Sequence, residues 1–381
     1  MRLLITSPSP DRGGVEEYAL TIAIAAIQIG WTVHVAFPKT LETASLVEDF
    51  RQQGVRYHPL QHYSPQAERI ERISNVVRRL FQSVALWVEV RPNVAMLNLA
   101  SPVQGLDQLL VCGILRSPTV VVFHSIPFRF NFSALKLKLY AWVRAINQQW
   151  VTVSQNNRKL LCQSFQIPED QMRCIYNGVK PAPPLRENLT TLRDRVRQEF
   201  GLPPNSRLVI TVGRLDLKKG YGDLIPAIPA IVQAYPEVRF LWVGDGDRRD
   251  ALMAQVRDYG VENKVLFVGY RRDVSRLLRS ADLFVFPTHF EGMPLALLEA
   301  MAHSVPVVAS DIESIAEVVE HQKQGLLFEM GDRNDLHQTL AWALQHPQQM
   351  HQMAQNAKRR VQGFSEDKMV KETLQLLQEL S

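Results

Sequence analysis

Residues 283–302 read LFVFPTHFEGMPLALLEAMA, and this stretch indicates the fold. Leu283–Phe286 is short and wholly apolar, which is typical of a strand that is buried on both faces of a sheet. A loop follows, and Pro294 then stands where the first turn of a helix tolerates proline. A buried strand followed by a helix is the repeating unit of parallel α/β sheets.

The same unit recurs along the whole chain of 381 residues. Helical stretches separate the short apolar segments that we predict as strands, which are Arg2–Thr6, Thr32–Phe37, Val94–Asn98, Thr119–Phe123, Trp150–Val153, Met172–Tyr176, Leu208–Val212, Arg239–Val243, Val265–Val268, Leu283–Phe286, Pro306–Val308 and Leu326–Phe328. The pattern occurs twice and predicts an α/β protein with two doubly wound, Rossmann-like domains and an interdomain cleft.

A proline-rich segment marks the expected domain boundary. Lys180–Pro184 holds three prolines in five residues, which indicates a stiff, extended linker. We therefore predict an N-terminal domain over residues 1–182 and a C-terminal domain over 183–363. The amphipathic helix at about 364–381 is expected to pack back on the first domain.

Composition and charge narrow the classes of function. The three cysteines are odd in number and form no C-x-x-C pair, which argues against a disulfide framework or a zinc ribbon and favours a reducing, cytoplasmic compartment. Residues 1–180 carry a net charge of +7 and the rest −2, so the first half is suited to an anionic partner. Nucleic acid, a membrane surface and a charged substrate all fit that description.

Ligands of open parallel sheets bind beyond the carboxyl ends of the strands, so the loops there are the candidate sites. The loop after Leu208–Val212 runs from Gly213 to Gly220 and contains Arg214 and Lys219, cations that suit a diphosphate. A solvated basic loop is the alternative interpretation. Gly13 and Gly14 precede a helix and would let a ligand approach the backbone closely.

Gly244-Asp245-Gly246-Asp247 looks like a metal-binding D-x-D motif. We interpret it otherwise, because it lies between a buried strand and a helix. There Gly244 and Gly246 would make room for a nucleotide, and Asp247 would cap the helix. No metal is expected.

The segment from Phe290 to Ala302 is the most informative loop. Backbone N–H groups around Met293, Pro294 and Leu295, together with the helix dipole, would bind phosphate or a sugar oxygen. Glu291 precedes the helix and Glu299 lies about two turns inside it, so they are expected to bind separate hydroxyl-bearing groups. A glycosidase carboxylate pair is the rival interpretation.

His124 follows the strand Thr119–Phe123 directly. A histidine at the carboxyl end of a strand is well placed to hydrogen-bond a ligand. The alternative is a histidine whose ring is satisfied by the neighbouring backbone.

These loops together resemble the retaining, metal-independent glycosyltransferases of family 4, also called glycosyl transferases group 1, which have the GT-B fold of two Rossmann domains. The resemblance covers nearly the whole chain and rests on six segments in order, which are Gly13-Gly14-Val15-Glu16, Val151–Ser154, Asn177-Gly178-Val179, Gly213-Arg214 with Lys219-Gly220, Gly244-Asp245-Gly246, and Glu291 with Glu299.

The resemblance implies roles for the single residues of the second domain. Arg214 and Lys219 would hold the donor diphosphate in place of a metal, and Glu299 would bind the ribose hydroxyls. Glu291 would touch the donor sugar. The N–H groups of Met293 to Leu295 would hold phosphate and sugar oxygens.

The resemblance implies that the acceptor binds to the first domain. There His124 would contact the sugar, and Gly14 would lie beside the leaving phosphate. No cofactor is implied, because the nucleotide-diphosphate sugar is a substrate. The donor is expected to be a UDP-, GDP- or ADP-sugar, and the acceptor a glycan or a lipid-linked molecule used in polysaccharide, glycolipid or cell-envelope glycan synthesis. A sugar-nucleotide epimerase on the same scaffold and a non-catalytic nucleic-acid binder are the alternatives; the chain lacks a recognisable nucleic-acid motif.

Three departures from the family pattern stand out. Lys180 replaces the usual Asp after Asn-Gly-Val, and His124 is followed by Ser125-Ile126-Pro127 instead of the frequent acid. The helix after Lys219 contains Pro226 and Pro229, so it should start late or bend.

A long stretch in the first half of the chain suggests contact with the inner face of an anionic membrane. Residues 108–168 contain no Asp or Glu. In residues 126–150 cations alternate with large apolar side chains, a pattern typical of an interfacial helix. The alternative is that the apolar side chains face the domain core. The residues concerned are Arg129, Lys136, Lys138, Arg144, Phe128, Phe130, Phe132, Leu135, Leu137, Leu139, Tyr140, Trp142 and Trp150.

Overall fold

The structure is a computed structural model that describes residues 1–61, 69–184 and 187–381. These residues form two compact units. The first comprises Met1–Asn177 together with Asp367–Ser381, and the second is Gly178–Glu366. The second unit therefore begins at Gly178, five residues before the domain start predicted from the linker.

In the described part of the first unit, seven parallel strands form one sheet in the order β3-β2-β1-β4-β5-β6-β7. The strands are β1 (Arg2–Thr6), β2 (Thr32–Pro38), β3 (Arg56–Leu60), β4 (Val94–Leu99), β5 (Thr119–Phe123), β6 (Gln148–Thr152) and β7 (Arg173–Cys174). The order reverses direction between β1 and β4, which is the topological switch point where ligands of such sheets bind.

Helices of the first unit connect these strands. They are α1 (Gly14–Gln28), α2 (Ala44–Gln52), α3 (Arg69–Val90), α4 (Leu106–Ile114), α5 (Ala134–Ala145) and α6 (Gln155–Phe165). The core forms where apolar side chains of the sheet meet those of the helices, for example Phe123 and Trp150 against Phe165.

One strand escapes the sequence pattern. Arg56–Leu60 pairs with β2 in parallel but reads RYHPL, with a proline and with side chains that are mostly half-buried or exposed. Proline is tolerated in a sheet at an edge strand, where its missing N–H faces outward, and β3 is at the edge. The rule that predicts strands from apolar runs therefore misses it.

In the described part of the second unit, six parallel strands form a sheet in the order β10-β9-β8-β11-β12-β13. The strands are β8 (Arg207–Val212), β9 (Val238–Val243), β10 (Val265–Phe267), β11 (Leu283–Phe286), β12 (Val307–Asp311) and β13 (Leu326–Glu329). The helices are α7 (Leu189–Glu199), α8 (Tyr221–Leu224), α9 (Ile228–Ala234), α10 (Arg249–Asp258), α11 (Val274–Ser280), α12 (Leu295–Ala302), α13 (Glu313–Ala316), α14 (Arg333–Gln345) and α15 (Pro347–Arg360). The predicted pair of doubly wound domains is confirmed.

The two prolines after Lys219 break the helix into pieces. α8 ends at Leu224, a 3₁₀ turn covers Ile225–Ala227, and α9 then continues to Ala234. Each proline stands at the second position of its short segment, where the missing N–H costs little. The predicted bend is therefore present.

Lys180, which replaces the usual acid after Asn-Gly-Val, pairs with an acid elsewhere in the second unit. Its Nζ lies 3.6 Å from Glu366 Oε1, and its side chain is largely exposed. The preceding Gly178 fits closely against the chain, since a Cβ there would come 2.2 Å from Ser365 O.

The last helix, α16 (Glu366–Leu380), belongs almost entirely to the first unit. Tyr18 Oη and Thr373 Oγ1 are 2.9 Å apart in a buried hydrogen bond. Burial raises the pKa of Tyr18 to about 12, so this hydroxyl stays neutral at physiological pH.

Candidate functional site

Two glycines lock the loops after β8 and β9 together in the second unit. Gly244 has a φ of +137°, and a Cβ there would come 2.0 Å from Gly213 O. A Cβ on Gly246 would come 2.5 Å from Leu215 O. The Leu215 N–H also donates to Asp245 O at 3.0 Å. Glycine is therefore needed at both positions for a reason of backbone packing, and these contacts fix the backbone on either side of Arg214.

A third glycine joins the loop after β8 to the loop after β11. Gly220 has a φ of +64°, and a Cβ there would come 1.7 Å from Pro287 O. The His289 N–H donates to Lys218 O at 2.7 Å, and the Asp216 carboxylate accepts from the Lys219 N–H at 3.2 Å. The short turn that carries Lys219 is thus fixed against the strand end.

This arrangement brings two predicted site residues into direct contact. Lys219 Nζ lies 2.5 Å from Glu291 Oε1, although the residues are 72 positions apart in the chain. The Lys219 side chain is 21% exposed and that of Glu291 11%. The ammonium also lies 5.5 Å from the ring centroid of Phe286. A half-buried ammonium makes strong, charge-assisted hydrogen bonds to carboxylate or phosphate oxygens.

At the start of α12, the structure differs from the expectation that the backbone N–H groups around Met293, Pro294 and Leu295 bind the ligand. Pro294 is the N-cap of α12 rather than part of its first turn, and as a proline it has no N–H to donate. The Leu295 N–H donates to Met293 O at 3.0 Å. Glu299 is the fifth residue of the helix, just over one turn from its start instead of about two, and is half-buried. The helix N-terminus still supplies the dipole.

Asp245 of the Gly244–Asp247 segment is bound within its own loop and to α10. Asp245 accepts from the Gly246 N–H at 2.9 Å and pairs with Arg249 at 3.4 Å. Asp247 is not the helix cap, because α10 has Arg248 at its N-cap. Among the described residues, no group of three or more His, Cys, Asp or Glu side chains could hold a metal ion.

In the first unit, the Gly13-Gly14 turn is held by a buried carboxyl group. α1 begins at Gly14, with Gly13 as its N-cap. Glu16 Oε1 accepts from Ser7 Oγ at 2.9 Å, and Oε2 accepts from the Gly13 N–H at 3.1 Å. Burial raises the pKa of Glu16 to about 7, although these hydrogen bonds oppose the shift. In the sequence, Glu16 stands out only as part of the Gly13-Gly14-Val15-Glu16 motif, and its position three residues after Gly13 was the available signal.

His124 is almost fully buried at the carboxyl end of β5. The ring Nε2 of His124 lies 3.1 Å from Asn98 Oδ1. The backbone N–H of His124 donates to Leu99 O. The ring is therefore satisfied by a side chain and not by the neighbouring backbone. The Tyr18 ring meets it edge-on at 5.0 Å, and Asn157 Nδ2 donates to its carbonyl at 3.1 Å. Burial lowers the pKa of His124 to about 3, so the imidazole is neutral.

The predicted membrane stretch is only partly on the surface. Ile126, Tyr140 and Trp150 are buried, and Phe132 stacks on Phe165 in the core, as the alternative interpretation required. The large apolar side chains that remain exposed in it are Phe128, Leu135 and Trp142, and the exposed cations near them are Arg129, Lys136 and Lys138. Arg144 instead donates to Gln171 at 3.0 Å. In the part of the chain that the structure describes, no helix has the length and apolarity to span a membrane.

Solved structures with a similar fold cover nearly the full chain. A glycosyltransferase of Rickettsia africae aligns over 100% of this chain and 98% of its own, with a TM-score of 0.82 and 17% identity. Anabaena Alr3699/HepE, solved in complex with UDP and glucose, aligns over 99% of both chains with a TM-score of 0.79 and 22% identity. At such identities the likeness shows the GT-B fold alone.

Among curated proteins, an uncharacterized glycosyltransferase of Methanocaldococcus jannaschii is 33% identical over 181 residues, or 47% of this chain and 46% of that protein. A UDP-Gal:alpha-D-GlcNAc-diphosphoundecaprenol alpha-1,3-galactosyltransferase of Escherichia coli is 28% identical over 217 residues, or 53% and 55%. The matched region thus spans about half the length of these relatives.

Two family matches divide the chain in the same way as the two sheets. Residues 12–182 match glycosyltransferase family 4, and residues 193–360 match glycosyl transferases group 1. Together they cover most of the chain, which therefore belongs to the family 4 and group 1 glycosyltransferases with the GT-B fold.

Proposed function

We propose that the protein transfers a sugar from a nucleotide-diphosphate sugar to a glycan or lipid-linked acceptor, with retention at the anomeric carbon, in the synthesis of a polysaccharide, a glycolipid or a cell-envelope glycan. The contact between Lys219 and Glu291 at the carboxyl end of the second sheet carries this proposal. It holds a cation for a diphosphate and a carboxylate for sugar hydroxyls side by side. The curated relative from Escherichia coli, whose name states a UDP-sugar and a diphosphoundecaprenol-linked acceptor, supports the same substrate classes.

The chemistry follows from where charge develops. The leaving diphosphate gains negative charge in the transition state, and we expect Arg214, Lys219 and the N-terminus of α12 to stabilise it without a metal. Glu291 contacts the donor sugar, and Glu299 binds the ribose hydroxyls. We favour front-face attack by the acceptor hydroxyl, which passes its proton to the leaving phosphate.

In the first unit, the Gly13-Gly14 turn approaches the leaving phosphate, and His124 contacts the sugar. The neutral state of His124 suits a hydroxyl better than an anion, because a neutral imidazole has one bare nitrogen that accepts from a hydroxyl and no charge to attract an anion. The sequence-based expectation that Gly244 and Gly246 make room for the nucleotide is not retained, because backbone carbonyls of Gly213 and Leu215 lie where their side chains would be. Their part is to hold the loop after β9 against the loop of Arg214.

A donor screen tests the proposed function. One class among UDP-, GDP- and ADP-sugars is expected to raise the melting temperature in excess EDTA. At 100 times its Kd a ligand stabilises by about 2.7 kcal/mol, a shift of several degrees for a domain of this size. If no sugar nucleotide stabilises the protein, the proposal fails. A donor that is converted without any acceptor would favour an epimerase, and activity that EDTA abolishes and magnesium restores would revive Asp245 and Asp247 as metal ligands.

We further propose that α5 and the segment before it touch an anionic membrane surface. Leu135, Lys138 and Trp142 follow one another at helical spacing and share a face of α5. Leu135 is 79% exposed and Phe128 60%. Exposed apolar side chains that alternate with cations match the chemistry of an anionic lipid interface.

Vesicle sedimentation tests this surface. Each basic residue near an anionic surface contributes about 1 kcal/mol, so the triple change of Arg129, Lys136 and Lys138 to Gln should weaken binding to phosphatidylglycerol vesicles about 100-fold. Phe81→Ser on α3 is the control, since Phe81 is a 73% exposed aromatic outside this surface. Binding that ignores lipid charge and salt, or that survives the triple change, would refute the idea.

A further inference from the structure

The environment of His124 contains a polar residue that no role assigned so far explains. β4 reads VAMLNL, and Asn98 is its one polar residue. The side chain is fully buried at the carboxyl end of the strand. A buried amide in an apolar strand is costly unless its hydrogen bonds are made, so its contacts should reveal why it is there.

Asn98 meets the His124 ring with its oxygen. Oδ1 lies 3.1 Å from Nε2, and an amide oxygen only accepts, so Nε2 must carry the proton. Because burial lowers the pKa of His124 to about 3, the ring holds a single proton at neutral pH. Nδ1 is then the bare nitrogen, and it can only accept a hydrogen bond.

The other neighbours of His124 hold the ring in place but do not determine which of its nitrogens carries the proton. The edge-on contact with Tyr18 limits ring rotation, and Tyr18 is itself tied to Thr373. Asn157 donates to the His124 carbonyl and not to the ring. Of these contacts, the one between Asn98 Oδ1 and Nε2 is the one that depends on which nitrogen is protonated.

Asn98 also retains an unused donor. Among the described residues, none accepts a hydrogen bond from its buried Nδ2. A leucine of similar shape would avoid that cost, so the amide is not explained by packing.

We propose that Asn98 is a positioning residue that holds His124 in the Nε2–H tautomer, so that Nδ1 accepts a hydrogen bond from a hydroxyl of the sugar substrate. The identity of that ligand rests on the proposed function. The tautomer does not, because it follows from contacts within the first unit.

Nitrogen-15 NMR of the ligand-free protein, labelled at histidine, tests the tautomer. His124→Gln identifies the signal. The wild type should show the neutral Nε2–H pattern at pH 7. In Asn98→Leu the Nε2–H tautomer should no longer predominate. Asn98→Asp keeps the shape but places a carboxylate at Nε2, so the ring should become doubly protonated. Asn157→Leu is the matched control, equally buried but bonded to the carbonyl, and should leave the pattern unchanged.

The outcomes separate cleanly. An Nδ1–H pattern in the wild type, or an unchanged pattern in both Asn98 variants, overturns the proposal. With the sugar nucleotide that passes the donor screen, Asn98→Leu should lower kcat about tenfold, the value of one hydrogen bond, with a smaller change in KM. An unchanged kcat would overturn the hydroxyl contact. Failure of every sugar nucleotide in the screen would refute the proposed function and leave the NMR result on the tautomer standing.

Discussion

Lys219→Ala is expected to lower kcat about 10²–10³-fold, the usual cost of removing one group that stabilises developing charge. The change removes the cation beside Glu291 and leaves that carboxylate, only 11% exposed, without its partner. An uncompensated negative charge would then face the leaving diphosphate, so the loss should lie at the upper end of this range. Steady-state kinetics with the donor identified by thermal shift measures it.

Lys218→Ala is the matched control for this variant. The two lysines are adjacent and carry the same charge, but the Lys218 side chain is exposed and only its carbonyl is used by the neighbouring loop. Lys218→Ala should therefore keep wild-type kinetics. Equal losses in the two variants would show that the loop acts through its general positive potential, and wild-type activity in Lys219→Ala would remove it from the site.

Gly220→Ala should destabilise the second unit strongly. A left-handed conformation costs a residue with a Cβ about 1–2 kcal/mol, and overpacking adds about 1–3 kcal/mol. Both apply here, because φ is +64° and the added Cβ would stand 1.7 Å from Pro287 O. We expect the free energy of unfolding to fall by about 2–5 kcal/mol, measured by urea denaturation.

Gly201 separates the two contributions. It has the same φ of +64°, but nothing lies within 4 Å of its added Cβ. Gly201→Ala should therefore lose only the conformational part, about 1–2 kcal/mol. If both variants were destabilised equally, the close contact between Gly220 and Pro287 would not contribute.

Much of the fold could be predicted from local patterns. All the predicted strands are present, because central strands of a parallel sheet are apolar on both faces and so are readable without their neighbours. The edge strand Arg56–Leu60 was missed, since an edge strand can contain a proline and polar side chains. The broken helix after Lys219 was predictable because proline acts through local geometry.

The sequence identified which residues belong to the candidate site, but not which of them contact one another. Arg214, Lys219 and Glu291 were recognised from their loops, yet the pairing of Lys219 with Glu291 joins segments 72 residues apart and depends on glycine contacts that no local pattern reports. Asn98 was missed because it lies in a strand that is otherwise apolar and looks like ordinary core. Its polarity in that context was the only available signal.

The return of α16 to the first unit has a consequence for synthesis on the ribosome. The second unit is one continuous segment and can fold as soon as it has emerged, whereas the first needs its last helix. Tyr18 and its partner Thr373 are separated by 355 residues. At about 5–20 residues per second, that partner arrives roughly 20–70 s after Tyr18. During this interval the nascent first unit lacks the surface that closes over Tyr18, which makes it the part of the chain most in need of chaperone protection.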